Sequence, residues 1–314
     1  MTYTDVEFVS HGVPCSAWHF RAESDRLASP NGRPAVVMAH GFGGTKDSGL
    51  EPFAERFAAA GAHVLAFDYR GFGASEGEPR QSISIKRQVQ DYGAAIEAAK
   101  ALADVDPSRV AIWGSSMSGS HVFHVGADRN DVAAVIAMTP LTSGLAAGRA
   151  SVGERSVLTA LSWMAAGVAS KFSVARGRGP KLMPLVARPG EPGALGLDGA
   201  YESYTSMAGP TWRNEIDSSV GFELGSIRAT PAAKRLTCRL LVQIADFDRY
   251  VPAHSVVKTA VAGRAEVHHY PCDHFDVWPG HDWFDKVAGD QVAFVTRALA
   301  ATSLADTERR PLPA

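Results

Sequence analysis

Short apolar runs alternate with longer stretches of helical period through most of the chain. Residues 6–10 and 16–20 read as two strands joined by a turn at Gly12-Val13-Pro14. Unbroken apolar runs follow at 35–39, 63–67, 110–113 and 134–138, and again at 240–244 and 267–270. Runs of this length without polar alternation fit parallel strands buried on both faces. Helical stretches occupy 50–60, 83–102, 116–127, 253–262 and 282–300, with Gly61 and Asp106-Pro107-Ser108 as turns. Repeated strand, helix, strand predicts an α/β fold with a mostly parallel, doubly wound sheet.

The alternation stops after Pro140 and resumes at Leu240. Between them, 151–169 reads as one helix, and 177–199 is rich in glycine and proline. The expected organisation is therefore a sheet domain at 1–140 and 237–301, a helical cap inserted at 141–236, and a frayed polar tail at 302–314. No internal repeat or heptad pattern is visible.

Composition narrows the class. The 314 residues are 46% hydrophobic and 20% charged, with a formal net charge of -2. That balance argues against a nucleic-acid partner, which calls for a strongly basic face. Three cysteines, Cys15, Cys238 and Cys272, form no disulfide framework. The first residues carry neither a basic region nor an apolar one, so no signal peptide is expected. The longest mainly apolar run, 157–169, is too short to span a bilayer. The expectation is a soluble cytoplasmic protein, and a homo-oligomer is compatible with everything above.

The chemistry concentrates where a strand meets a helix, at Gly114-Ser115-Ser116-Met117-Ser118-Gly119. A serine hydroxyl is a weak nucleophile until a base takes its proton. A sharp strand-to-helix turn lifts that hydroxyl clear of the backbone, provided the residues two before and two after are small. For Ser116 these are Gly114 and Ser118. Ser115 would put Trp113 at a small position, and Ser118 would fall inside the first helical turn. A helix N-terminus that is merely capped by serine is the bland alternative.

The chain resembles the α/β-hydrolase superfamily, especially its dienelactone-hydrolase-like and acyl-peptidase-like branches. The motifs that carry the resemblance are His40-Gly41-Phe42-Gly43-Gly44, Asp68-Tyr69-Arg70-Gly71-Phe72-Gly73, the turn at Ser116, Asp248-Arg249-Tyr250-Val251-Pro252 and Asp273-His274-Phe275. They span 35–140 and 238–300. One departure is Ser118, where the common pattern has glycine. The resemblance implies an eight-stranded sheet with a cap, and a Ser–acid–His order along the chain. It implies Ser116 as nucleophile, Asp248 as the acid and His274 as the base, on the loop after the last strand. Asp246 is the fallback acid, and His268, His269 and His281 fit the base position less well. It also implies an oxyanion hole made by the Met117 and Phe42 N–H groups. Asp68 and Arg70 are expected to satisfy backbone groups or each other.

The implied activity is hydrolysis of a small-molecule ester or acyl substrate, ester or thioester, through an acyl-serine intermediate, with no cofactor. Rival readings are an acyltransferase or thioesterase of secondary metabolism, an amidase or peptidase, and a non-catalytic binding module. The acidic and histidine residues at 273–282 lack metal-ligand spacing, so no metal is expected. Trp163, Trp212 and Tyr204 are candidates for a hydrophobic acyl pocket in the cap. A basic run at 171–188 reads as a solvated loop or as a receiver of an anionic substrate.

Overall fold

The computed structural model describes residues 3–152 and 157–300. The chain opens with β1 (Tyr3–Ser10) and β2 (Val13–Phe20), an antiparallel hairpin. Its turn falls one step earlier than the glycine and proline suggest. His11 and Gly12 both take positive φ, 48° and 81°, the geometry of a two-residue hairpin turn. Then β3 (Arg33–Ala39), α1 (Glu51–Ala59), β4 (His63–Phe67), α2 (Ile85–Lys100), β5 (Val105–Ser115), α3 (Ser116–Ala127) and β6 (Ala134–Met138) alternate. Local signals fit each helix start. Pro52 occupies the first turn of α1, and Ser84 accepts the Arg87 N–H at the start of α2.

A long excursion follows, comprising α4 (Gly144–Val152), α5 (Val157–Ala175), β7 (Leu182–Met183), α6 (Ala200–Ser206), β8 (Ile216–Asp217), α7 (Val220–Ser226) and α8 (Thr230–Arg235). The single helix expected at 151–169 is replaced by α4, which starts earlier, and α5, which ends later. The strand pattern returns with β9 (Arg239–Ala245), α9 (Ala253–Ala262), β10 (Glu266–Tyr270) and α10 (Phe284–Ala298). The tail at 302–314 lies outside the described residues.

The main sheet has eight strands in the order β1-β2-β4-β3-β5-β6-β9-β10, parallel from β4 to β10 with the hairpin antiparallel at one edge. The central strands β4 and β6 are buried at every position, as their unbroken apolar runs require. A chain of buried polar groups crosses this apolar core. Trp113 Nε1 donates to Gln291 Oε1 at 2.9 Å, and Gln291 Nε2 donates to Gln243 Oε1 at 2.7 Å. Gln243 Nε2 then donates to Tyr270 Oη at 2.7 Å. Because each member is satisfied, the chain fixes α10 against β5, β9 and β10 without a buried orphan. Among the described residues no helix is long and apolar enough to cross a membrane.

Several histidines are buried in this core as neutral rings. His19 Nε2 and His63 Nδ1 lie 3.0 Å apart between β2 and β4, and His121 Nε2 meets Gln88 Oε1 at 2.8 Å. Burial, reinforced by a nearby histidine in each case and by Arg21 for His19, pushes His19 down to about 4 and His121 to about 3. A depressed histidine contributes stability that is complete above its unfolded value near 6.5. That stability is lost as pH falls from there toward the folded-state value. The urea midpoint should therefore fall between pH 7.5 and pH 5, with each of these two histidines contributing on the order of 1–2 kcal/mol. Equal midpoints at the two pH values would contradict the buried neutral state.

Candidate active site

The junction between β5 and α3 forces Ser116 into the left-handed region at φ 52°. For a residue with a Cβ this conformation costs about 1–2 kcal/mol, so the surroundings must hold it. They do so through very close packing. A Cβ on Gly114 would lie 2.4 Å from the Ser118 carbonyl oxygen, and one on Gly119 would lie 2.7 Å from Pro140 Cβ. The Ser116 carbonyl accepts the Leu141 N–H at 2.7 Å. Ser118, the departure from glycine, has a use. Its hydroxyl accepts the Ser115 N–H at 2.9 Å and donates to the Ala39 carbonyl at 2.8 Å. It thus ties the turn to the end of β3.

The loop after β3 comes alongside. A Cβ on Gly41 would stand 2.9 Å from the Ser115 carbonyl oxygen and 3.1 Å from Ser116 Cβ. Only glycine lets the two backbones approach this closely. The far end of the loop is anchored by Asp68, which accepts the Lys46 N–H at 2.6 Å, pairs with Lys46 Nζ at 2.8 Å and accepts the Ala74 N–H at 3.0 Å. Arg70 instead pairs with Asp91. The expectation for these two residues thus holds for backbone groups but not for each other. His40, which the motif alone did not distinguish, is buried and stacked on Trp278 at 4.8 Å and 17°. Burial pushes it down to about 4, so it lines the site as a neutral ring.

The loops after β9 and β10 bring Asp248 and His274 together. Asp248 Oδ2 and His274 Nδ1 lie 2.6 Å apart. Asp248 Oδ1 accepts the Tyr250 and Val251 N–H groups at 2.8 and 2.7 Å, which fixes the carboxylate plane. Asp246, the fallback, pairs with His269 at 2.6 Å in a second Asp–His couple. Exposure separates the two couples. The side chains of Asp248 and His274 are 3% and 6% exposed, those of Asp246 and His269 36% and 49%. Burial lowers the His274 pKa, but the Asp248 carboxylate, with Asp273 in support, outweighs it and leaves the net shift upward. From sequence Asp273 stands out only as a motif member and in a discounted metal-ligand cluster. It accepts the His274 N–H at 2.7 Å and the Arg249 N–H at 3.0 Å, so it joins the two loops that carry the pair.

Ser116, Met117, Phe42 and His274 line one cavity of about 720 Å³. Its other walls come largely from the excursion between β6 and β9, including Leu145, Trp163, Met164, Met183, Tyr204 and Leu224. Trp212 is not among the lining residues and instead stacks on the Tyr204 ring at 5.4 Å. The basic residues of 171–188 do not line the cavity either. Two of them lie over aromatic rings, Lys171 over Phe222 at 5.2 Å and Arg176 over Phe172 at 5.5 Å. Among the described residues no group of three or more acidic, histidine or cysteine side chains is placed to hold a metal ion.

The eight-stranded, mostly parallel sheet and the left-handed turn after β5 define an α/β hydrolase. The family model described as "Serine aminopeptidase, S33" matches residues 30–272, and the chain belongs to that family. The chain is 36% identical over 300 residues to "Quorum-quenching protein AidA" of Acinetobacter baumannii, covering 94% of this chain and 95% of that protein. It is 35% identical over 141 residues to "Thiohydrolase aneE" of Aspergillus aculeatus, 45% of this chain and 42% of that one. The crystal structure of the alpha/beta hydrolase GrgF from Penicillium superposes with a TM-score of 0.77 at 23% identity, covering 95% of this chain and 99% of that chain.

The tight packing around the turn yields a prediction. Gly114→Ala must displace the first turn of α3, at a cost of about 1–3 kcal/mol in unfolding free energy. A urea midpoint equal to that of the parent protein would show that the turn is looser than described.

Proposed function

We propose that this protein is a serine hydrolase that cleaves an ester or thioester of an apolar acyl group through the triad Ser116, His274 and Asp248. The observation that carries the reading is the buried Asp248–His274 pair opening, together with Ser116, onto one largely apolar cavity. Its boundaries divide the chain into a core at 1–140 and 237–301 and a cap at 141–236, the cap shaping the acyl pocket.

In the first half-reaction His274 takes the Ser116 hydroxyl proton at its free ring nitrogen while Oγ bonds to the carbonyl carbon. Asp248 stays ionised, accepts the Nδ1–H and stabilises the imidazolium. The negative oxygen is received by the Phe42 and Met117 N–H groups. The second is one of the helix-start donors that have no partner within α3. Collapse expels the alcohol or thiol, which leaves with the proton from His274. Water then enters, gives its proton to His274 and attacks the acyl-serine; the acid departs and Ser116 regains its proton.

The lining also bears on the kind of substrate. Among the described residues it contains arginines, Arg149 and Arg249, but no aspartate or glutamate, so the free ammonium of a peptide N-terminus would find no counter-ion among them. That supports esters and thioesters over aminopeptidase substrates. The relative named a thiohydrolase supports thioesters, and the one named for quorum quenching supports a small molecule as substrate. The three unpaired cysteines support a reducing, cytoplasmic setting.

Two outcomes test the reading. Ser116→Ala should lose at least about 10³-fold in kcat on p-nitrophenyl esters and acyl thioesters, and activity within tenfold of the parent would reject the nucleophile. Because His274 must be neutral to act and its pKa is raised, kcat/KM should rise with pH through an apparent pKa above 6.5. Asp248→Asn should lower that pKa and cut kcat by about 10⁴-fold. A pH profile flat from 5 to 8 would exclude His274 as base.

A further inference from the structure

We propose that Tyr204 is a positioning residue of the oxyanion site. From α6 in the excursion, its hydroxyl holds the Phe42 carbonyl, which lies on the Phe42–Gly43 peptide. The hold reaches the Phe42 N–H, on the preceding peptide, by restraining the Phe42 φ and ψ between two glycines. The proposal rests on the reading of Phe42 as an oxyanion donor.

Tyr204 is 3% exposed, and its Oη donates to the Phe42 carbonyl oxygen at 2.5 Å. Its ring is held on two sides, stacked on Trp212 at 5.4 Å and edge-on to Phe275 at 5.9 Å. Phe275 directly follows His274, so one cap side chain touches both the oxyanion loop and the neighbour of the base. Burial without an ionised partner keeps the phenol protonated far above the working pH range, and the donor is therefore always present.

The loop needs such a holder. Phe42 lies between Gly41 and Gly43, and Gly43 sits at φ 63°. Glycine flanks let the peptide planes rotate at little cost. Asp68 fixes the loop only at Lys46, four residues further on. A second contact closes over the same point: a Cβ on Gly43 would fall 2.0 Å from Leu185 Cδ1 and 3.6 Å from Ile216 Cδ1. Leu185 and Ile216 also belong to the excursion, so the loop is pressed between the sheet domain and the cap, with Tyr204 supplying the directional contact. An oxyanion donor acts only if it is aimed at the position the oxygen takes in the transition state.

Loss of one donor outright lowers kcat by about 10²–10³-fold. Loosening a donor that remains should lower it less. For Tyr204→Phe, which keeps both ring contacts, the expected result is a fall of about 5–50-fold in kcat on a p-nitrophenyl ester with KM changed less than about twofold. A trifluoromethyl ketone carrying the same acyl chain, whose adduct with Ser116 places an oxyanion in the hole, should lose affinity by the same factor as kcat/KM. 4-Aminophenylalanine at 204 restores a donor and should recover most of kcat. If the phenylalanine variant is not recovered folded, 4-methylphenylalanine at 204 fills the hydroxyl's space without a donor and serves for the same comparison. An unchanged kcat overturns the proposal. So does a rise in KM alone, which would make Tyr204 a substrate contact, and so does an aminophenylalanine variant no better than the donorless one. Ser116→Ala in the same assay separates the two levels. If it stays active, the triad reading fails. If it is inactive while Tyr204→Phe matches the parent, only the role of Tyr204 falls.

Discussion

A serine with a left-handed backbone, packed between a buried parallel strand and the helix it starts, is the constraint on which the rest of the site depends. Nothing about serine favours φ 52°, so the strain must be met by the surroundings. The β5 strand cannot shift, because it is paired on both sides by β3 and β6. The helix cannot back away, because Gly119 already lies against Pro140 and Gly126 against Val135 and Leu236. The turn is therefore the residual conformation left when two rigid elements meet. Its glycines and small residues are required by contact distances rather than by flexibility. The same closeness lets the Gly41 backbone run beside Ser116, so the two loops proposed to form the oxyanion hole share one steric cause.

The electrostatics follow from depth. Two Asp–His couples stand at the ends of β9 and β10 with the same 2.6 Å separation, and hydrogen-bond length alone does not distinguish them. The couple in solvent has its charges screened and its side chains free to move. The buried couple has its carboxylate fixed by two backbone N–H groups and its imidazole walled by Tyr250 and Phe275. There the carboxylate outweighs desolvation and raises the histidine. His40 shows the contrast within the same cavity. Also buried, but without a carboxylate in direct contact, it is driven down to about 4. Two buried histidines that line one cavity are thus set to opposite shifts by whether a carboxylate is in direct contact.

The centre of the sheet was legible because β3, β4, β6 and β9 contain unbroken apolar runs. The run at 267–270 was placed as a strand, but β10 is the edge of the sheet and mostly exposed rather than buried on both faces. The turn at Ser116 was legible because steric smallness two residues either side is a local property. The excursion was not legible. Its strands are two residues long and its short helices have no room for a periodic pattern, so α6 and α7 left no signal above their glycine-rich surroundings. Asp273 and His40 were passed over for another reason. Each is a motif residue given no role there, because it acts through a contact made across the fold, Asp273 to Arg249 and His40 to Trp278, which no spacing in the chain encodes.

On the proposed reading the architecture also joins substrate choice to catalysis physically. Tyr204, Leu185 and Ile216 bear on the oxyanion loop from the excursion, while Leu145, Met164 and Leu224 of the same excursion wall the acyl cavity. A substrate that pushes those walls apart would also pull at the loop. On the proposed reading a cap of this kind differs from a passive lid, because it touches both the cavity wall and the loop of the proposed oxyanion donor. Evolution of a new acyl specificity on this scaffold would then be free to vary the walls only where the contacts at Phe42 and Gly43 are left in place. That is why a large apolar cavity and one short phenol-to-carbonyl hydrogen bond have to be understood together.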